Sequence, residues 1–460
     1  MASARLAHDD RRLTAPGRPG TAGAYAGRVT SAPLTEGELV DIRAQFPILR
    51  TEVHGHPLAY LDSAATAQKP QRVLDAERDF YAEANSAVHR GAHTLAAEAT
   101  ERYEEARRVV ADHLGASEHE LVFTGNATEG LNLLATAIGH ASSGRGAGAD
   151  FPAHALAGGD EIVVTELEHH ANLIPWQELA ARTGARLQVV PVDDDGVIEA
   201  DGAADVITDR TRILAIAHVS NATGRVSPLD ALIAPARAAG ALVVLDACQS
   251  APHLALRPAE LGVDAAVFSA HKVYGPNGIG VLWGRRELLD ALPPHLYGGS
   301  AITTVTLEQA HFLPAPARFE PGTPRIAQAI GLAEALRFVD EIGLDRIAAS
   351  EHALAARLHD GLAGMPGIRV LGGPGADGRV ALASIDVDGV HAHDAGQVLD
   401  DLGIAVRVGH HCAQPLHRRL GLTASLRISA GVHTTPDEID RALDAVSGIR
   451  SFFGVAGSAA

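Results

Sequence analysis

The chain has 460 residues, 46% of them hydrophobic and 20% charged, the balance of a folded globular protein of more than one compact core. A formal charge of −18, with no basic stripe, excludes the usual electrostatics of a nucleic-acid binder. No apolar run is long enough to span a bilayer, and the first 35 residues lack the apolar middle of an export signal, so neither membrane insertion nor export is expected.

Residues 1–36, rich in Gly, Ala, Pro and Arg, read as a flexible tail. From Leu39 the pattern turns globular. LAYLDSAATA reads as a strand entering a turn, and Val73 to His113 as mostly helical. Seven short β-branched runs follow: ELVFT, EIVVTEL, RLQVVPV, RILAIAHVS, LVVLDA, AAVFSA and GIGVLWG. Helical stretches such as ATEGLNLLATAI, IPWQELAART and LDALIAPARAAG lie between several of them. That alternation predicts an α/β fold with a mostly parallel seven-stranded sheet. Residues 140–159 read as a surface loop. From about 345, ALAARLHDGLAG, RVALASIDV, AGQVLDDLGI, SLRISAG and DEIDRALDAVSGI predict a smaller α+β C-terminal domain. The expected organisation is a tail to 36, a segment 37–60 packing with the small domain, a large cofactor-binding domain 61–344 and a small domain 345–455.

Two residue counts narrow the chemistry. Two cysteines, Cys248 and Cys412, exclude a disulfide framework and suit a reducing cytoplasm. Two lysines, Lys69 and Lys272, remain in a chain whose other basic residues are Arg, and Lys can lose its proton to become a nucleophile where Arg cannot. Ligands of such sheets bind beyond the carboxyl ends of the strands, and the residues there are polar. Lys272, in VFSAHKVYGPNGIG, suits a Schiff base with an aldehyde cofactor. Asp246, in LVVLDACQS, suits a protonated pyridine nitrogen. The pair His169 and His170 follows a strand and offers a ring to stack on a flat cofactor. Thr128, in TGNATEGLN, opens a helix whose free N–H groups suit a phosphate. Singly, each has a plainer reading: loop histidine, helix cap, surface lysine. Jointly, in this order, they describe a pyridoxal 5'-phosphate site.

With YLDSAATAQKP, AVHRGAHTL, ELEHHANLIPWQ, HVSNATG, FSAHKVYGPNGIG, GGSAITTV, RFEPGTP and AVRVGHHCAQPL, the sequence resembles the SufS-type cysteine desulfurases from about Leu58 to the C-terminal helix. These are fold-type I pyridoxal phosphate enzymes related to the class V aminotransferases. The resemblance implies conversion of L-cysteine to L-alanine, with the sulfur passing to an enzyme cysteine and then to an acceptor for iron–sulfur cluster or other sulfur metabolism. It implies that Lys272 holds the cofactor, that His169 stacks on its ring and acts in proton transfer, and that Asp246 and Gln249 face the pyridine nitrogen and ring oxygen. Ala127 (through its N–H), Thr128, Ser269 and His271 would hold the phosphate, joined by Thr323 of a second subunit of a homodimer. Asn221 and Arg427, with Arg407 nearby, would bind the substrate carboxylate, and Cys412 would accept the sulfur. The short step from RVG to Cys412 implies a short, ordered loop and a dedicated SufU-like or SufE-like acceptor protein.

Departures from the family pattern are modest. Ala247 and Cys248 stand where Gly and Ala are common, TGNAT replaces an Arg-Gly-Thr-Thr form, and the 140–159 loop and the tail are longer. Cys412 is preferred to Cys248 because Arg407, His410 and His411 offer it positive or hydrogen-bonding neighbours, whereas Cys248 follows an apolar run. His391 and His393 read either as a polar turn or as a contact for a zinc-bearing acceptor. With His410, His411 and Cys412 they also form a candidate zinc set, which makes a zinc hydrolase the remote alternative. Selenocysteine lyases and specialised carbon–sulfur lyases, acting for example on L-selenocysteine, are the near alternatives.

Overall fold

The computed structural model describes residues 31–455. Most of the expected tail, 1–36, therefore lies outside the described residues. The chain is already tied down just before 37. The Leu34 N–H donates to Ser350 Oγ, and Thr35 caps the helix Glu36–Ala44 through a reciprocal box with Glu38.

All seven runs form strands of one sheet: β1 (Leu121–Thr124), β2 (Glu161–Thr165), β3 (Arg186–Val190), β4 (Thr211–Ala217), β5 (Leu242–Asp246), β6 (Ala265–Ser269) and β7 (Gly280–Gly284). Their spatial order is β1-β7-β6-β5-β4-β2-β3. Strands β2 to β6 pair in parallel, while β7 runs antiparallel to both β6 and β1. The connection between β6 and β7, residues 270–279, has no room for the helical crossover that a parallel pair requires.

The β-branched runs are continuous rather than alternating because both faces of the sheet are covered. Val163, Leu245, Phe268 and Val281 enter one buried layer, and their neighbours Ile162, Val244, Val267 and Leu282 enter the other. On one side the 21-residue helix Thr94–Leu114 packs against Ile326–Ile342; on the other lies Ala127–Ser143.

The stretch expected to be mostly helical over 73–113 is so, in two pieces with a break. Gln71–Asp79 runs into a π turn at Phe80–Ala84, and helix resumes only at Thr94. Residues 85–93 stay non-helical, and His93 caps the new helix by accepting from Ala96 N at 3.3 Å. The 140–159 segment is only partly loop. The helix from Ala127 continues to Ser143, and a 3₁₀ turn spans Gly146–Asp150.

A second sheet is antiparallel, in the order β8 (Ile368–Val370), β9 (Leu382–Val387), β11 (Ser425–Ser429), β10 (Arg407–Gly409). Helices Leu344–Ala363 and Pro436–Phe452 bury Leu354, Leu358, Ile439 and Val446 with Ile385 and Ile428 of this sheet. The early chain joins the same body. Ala59–Tyr60 pairs in parallel with Ile404–Ala405, and Arg43 bonds Glu438 at 2.9 Å. Among the described residues, no helix is long and apolar enough to cross a membrane.

Candidate active site

The carboxyl ends of β1, β2, β4, β5 and β6 open into one cavity of about 230 Å³, to which the second sheet contributes Arg407 and Arg427. Each wall follows from the element that ends there. After β1, Asn126 caps the helix Ala127–Ser143, so the first turn of a 17-residue helix lines the cavity at Ala127 and Thr128, with the Ala127 N–H expected for a phosphate taken up by a neighbouring side chain. The Ala127 N–H donates to Ser269 Oγ at 2.9 Å. Gly280 lets β7 pass close beneath this turn, since a side-chain carbon there would lie 2.6 Å from the Asn126 backbone.

Asp246 ends β5, is only 6% exposed, and accepts from the Cys248 N–H at 2.9 Å. Gln249 donates to the Ala64 carbonyl at 2.8 Å. Lys272 closes a 3₁₀ turn directly after β6 and lines the cavity beside His271. Lys69 does not. Its ammonium is bonded to Thr66 and Ala67, and burial lowers its pKa to about 8.

His169 lines the cavity with its Nδ1 accepting from the Ala171 N–H at 3.0 Å, which places the ring proton on Nε2. Burial, reinforced by Lys272, lowers its pKa to about 4, so the ring is neutral at physiological pH. Burial likewise holds His271 at about 4.

The far wall carries the charge. Arg427, 2% exposed, donates to the Asn221 carbonyl at 2.8 Å and pairs with Asp62 at 3.3 Å. Burial lowers its pKa to about 10 against the pull of Asp62, so it stays cationic. Its Nε is buried without a partner among the described residues, a donor that a carboxylate would satisfy. Asn221 reaches across to the His411 carbonyl, and the exposed Arg407 also lines the cavity, 4.0 Å from Asp62. Cys412 is exposed at the mouth, whereas Cys248 is buried and burial pushes its thiol far up.

Every residue expected at the site, Thr323 apart, lines this one cavity. Thr323 lies instead on a surface cleft with His89, Arg90 and Gly322, and so does not serve its own chain's cavity. Of the two parts expected of His411, positive charge or hydrogen bonding, charge is not the one it takes. Burial, together with Arg427, lowers its pKa to about 2, and it acts as a neutral hydrogen-bonding ring. The candidate zinc set is not assembled either. His391 and His393 stack on each other at 5.5 Å, while His411 is committed to Ser425. Among the described residues, the cluster of possible ligand atoms is the exposed His54, Asp400 and Asp401.

Sequence reasoning misses Asp62 and Glu168, and takes His170 only as a ring that could stack on the cofactor. Asp62 pairs with Arg427. Glu168, fully buried, accepts from Thr165, Asn172 and the Ala217 N–H, tying the His169 turn to β4. His170 bonds the Cys412 carbonyl through its N–H at 2.7 Å and the Gln414 N–H through its ring at 3.1 Å. Asp62, Glu168 and His170 all lie inside stretches whose motif was legible, but only contacts between distant elements reveal their parts.

The family model for class-V aminotransferases matches residues 59–442. A probable cysteine desulfurase of Mycobacterium leprae is 52% identical over 92% of this chain and 99% of its own. The cysteine desulfurase structure from Thermococcus onnurineus is 36% identical, with a TM-score of 0.83 over 92% of this chain and 100% of that one. One from Escherichia coli is 37% identical, with a TM-score of 0.80 over 90% and 98%. The chain thus belongs to the class-V aminotransferase family, among its cysteine desulfurases.

Proposed function

We propose that this protein is a pyridoxal phosphate-dependent cysteine desulfurase that takes sulfur from L-cysteine onto Cys412 and releases L-alanine. One observation carries the reading: a single cavity gathers a lysine, a buried carboxylate, a buried arginine with an unpartnered Nε and an exposed cysteine.

The residues present fit the cofactor. The helix start at Ala127 and Thr128, with Ser269 and His271, forms a cradle for a phosphate. Asp246 is placed to hold a pyridinium, and the neutral His169 ring to stack against a flat one. When bound, pyridoxal phosphate supplies a carbonyl that condenses with amines and a ring that stores an electron pair.

Arg427 and Asn221 hold the substrate carboxylate, which orients the α-carbon toward Lys272. Lys272 would take the α-proton and later return a proton. The Cys412 thiolate attacks the substrate sulfur. A sulfur–sulfur bond forms, the Cβ–sulfur bond breaks with its electron pair left on Cβ, and Cβ takes up a proton to become the methyl of alanine. Cys412 is left as a persulfide for an acceptor. Exposure at the mouth suits both steps.

The working unit in this reading is a cytoplasmic homodimer in which Thr323 reaches the partner's phosphate cradle. Its support is the position of Thr323 outside its own cavity, beside a hairpin (Ile302–Val305, Ala310–Phe312) and flanking loop whose Tyr297, Val305 and Leu307 are 59%, 60% and 102% exposed. The acceptor is a SufU-like or SufE-like protein. The test is direct: the purified holoenzyme with L-cysteine should give alanine and a persulfide mapped to Cys412, in equal amounts in the first turnover. Alanine without persulfide on Cys412 overturns the reading.

A further inference from the structure

The turn that presents Cys412 is strained. His411 and Cys412 have φ of 52° and 56°, consecutive left-handed conformations that residues with side chains rarely adopt. Such a turn persists only where its surroundings hold it. Besides the bonds from His170 and Asn221 to its carbonyls, the turn is held by one buried hydroxyl, that of Ser425, the first residue of β11.

Ser425 Oγ lies 2.9 Å from His411 Nε2 and 2.9 Å from His417 Nε2. His417 Nδ1 lies 3.0 Å from the Ala413 carbonyl. All three side chains are buried, and burial lowers the pKa of both histidines, so each ring carries one proton.

The directions of the bonds then follow in sequence. A carbonyl only accepts, so the His417 proton is on Nδ1. Its Nε2 is therefore an acceptor, and the Ser425 O–H donates to it. With that proton used, Ser425 Oγ accepts from His411 Nε2–H. The chain Ala413–His417–Ser425–His411 thus clasps the residue before Cys412 and the residue after it.

Along β11, Ser425, Arg427 and Ser429 lie two apart and share one face. Arg427 bonds the Asn221 carbonyl, and Ser429 Oγ accepts from the N–H of the cavity residue Ala64. One strand face therefore holds the nucleophile turn, the carboxylate site and the cavity wall at fixed mutual spacing.

We propose that Ser425, acting with His417, is a positioning residue that fixes Cys412 relative to Arg427 for sulfur transfer. The inference rests on the assignment of Cys412 as sulfur acceptor. The clasp makes no bond to Lys272, Asp246 or Arg427 and touches the carboxylate site only through the Asn221 bond to the His411 backbone carbonyl, so its main effect is on the reach of the thiolate to the substrate sulfur.

The test compares the holoenzyme with Ser425→Ala, His417→Phe and the double variant. The readouts are the visible cofactor band, KM and kcat for alanine release from L-cysteine, and the rate at which iodoacetamide alkylates Cys412, mapped by mass spectrometry. Ser425→Ala should keep the band and hold KM within about twofold while kcat falls roughly tenfold to a hundredfold, the scale of a misplaced reacting group. The alkylation rate at Cys412 should change as well. The double variant should be no worse than either single one, because both break one chain. Ser425→Thr, which retains the hydroxyl, should recover most of kcat. Wild-type kcat in Ser425→Ala, or a joint loss of band, KM and kcat, overturns the proposal. If Ser425→Ala does not fold, His417→Phe decides by the same outcomes. Cys412→Ser run in parallel separates the two readings: if that variant stays active, the acceptor assignment itself has failed.

Discussion

The backbone N–H of His170 donates to the carbonyl of Cys412 at 2.7 Å, so the turn carrying the exposed thiol is bonded to the neighbour of the ring that faces the cofactor pocket. Two elements 242 residues apart are thereby held in one geometry. A Cys412 loop fastened at His170, Asn221 and Ser425 is short and ordered, and it leaves little freedom to carry a persulfide away from the site. In the proposed reaction, delivery would then fall to an acceptor that comes to the mouth.

The acceptor contact is testable at His393. It is exposed, opens the helix Ala392–Asp401 and stacks on His391; that helix packs through Gly396 against Val408 of β10, the strand leading to Cys412. His393→Ala should leave alanine release without acceptor unchanged and should abolish the stimulation that a zinc-bearing acceptor produces. Stimulation equal to wild type discards the contact.

The cofactor linkage should depend on one lysine. Lys272→Ala should lose the visible band, and borohydride reduction of the wild type followed by peptide mapping should label Lys272. Lys69 is withheld by its bonds to Thr66 and Ala67, so label there would sink the assignment.

Much of the site was legible before any coordinates because each functional residue follows a β-branched run, and the parallel-sheet rule sends those ends to one place. Lys272, Asp246, His169 and Thr128 were found that way, whereas Asn221 and Arg427 came only from the family resemblance. What stayed hidden depends on contacts between distant segments. Ser425 is an unremarkable serine in SLRISAG until His411 and His417 close on it. Asp62 gains meaning only when β11 brings Arg427 to 3.3 Å. His411 stayed open between a positive and a hydrogen-bonding neighbour because sequence shows the residue type and not the burial that keeps its ring neutral. The break at 85–93 was missed for a similar reason: Ala- and Glu-rich flanks carry strong helix propensity, which tertiary context overrides.

Acid should destabilise the protein through its buried neutral histidines. His433 is 0% exposed, stacks edge-on against Phe46 at 5.0 Å, and burial lowers its pKa to about 3. The unfolded chain takes up a proton near pH 6.5 and the folded chain does not. Its contribution is therefore fully present above pH 6.5 and is lost as pH falls toward 3, at about 1.4 kcal/mol per unit at most. His433→Phe keeps a ring in place and should flatten the slope of stability against pH between 6.5 and 5 by up to one proton. Urea midpoints across that range measure it, and an unchanged slope rules His433 out as a source.

The two cysteines should separate the steps of the reaction. Cofactor binding uses Lys272 and the pocket around it, whereas sulfur leaves the substrate only when a thiolate reaches it. Cys412→Ser retains every group that holds cofactor and carboxylate, so it should keep the visible band and still show a spectral change on adding L-cysteine. It should form no persulfide and release little alanine, with a loss of several orders of magnitude, the scale of removing a nucleophile. Cys248→Ser should act nearly as wild type, because Cys248 is buried with its thiol pushed far up, and a serine there keeps both the backbone N–H bond to Asp246 and a side-chain donor toward Ser269. L-selenocysteine refines the contrast, since selenium leaves carbon more readily than sulfur. If Cys412→Ser loses activity on L-cysteine yet still degrades L-selenocysteine, the thiol is needed to draw off sulfur and not to activate the α-carbon. If Cys412→Ser keeps most of its activity on L-cysteine, the persulfide does not form on Cys412, and the sulfur leaves by another route.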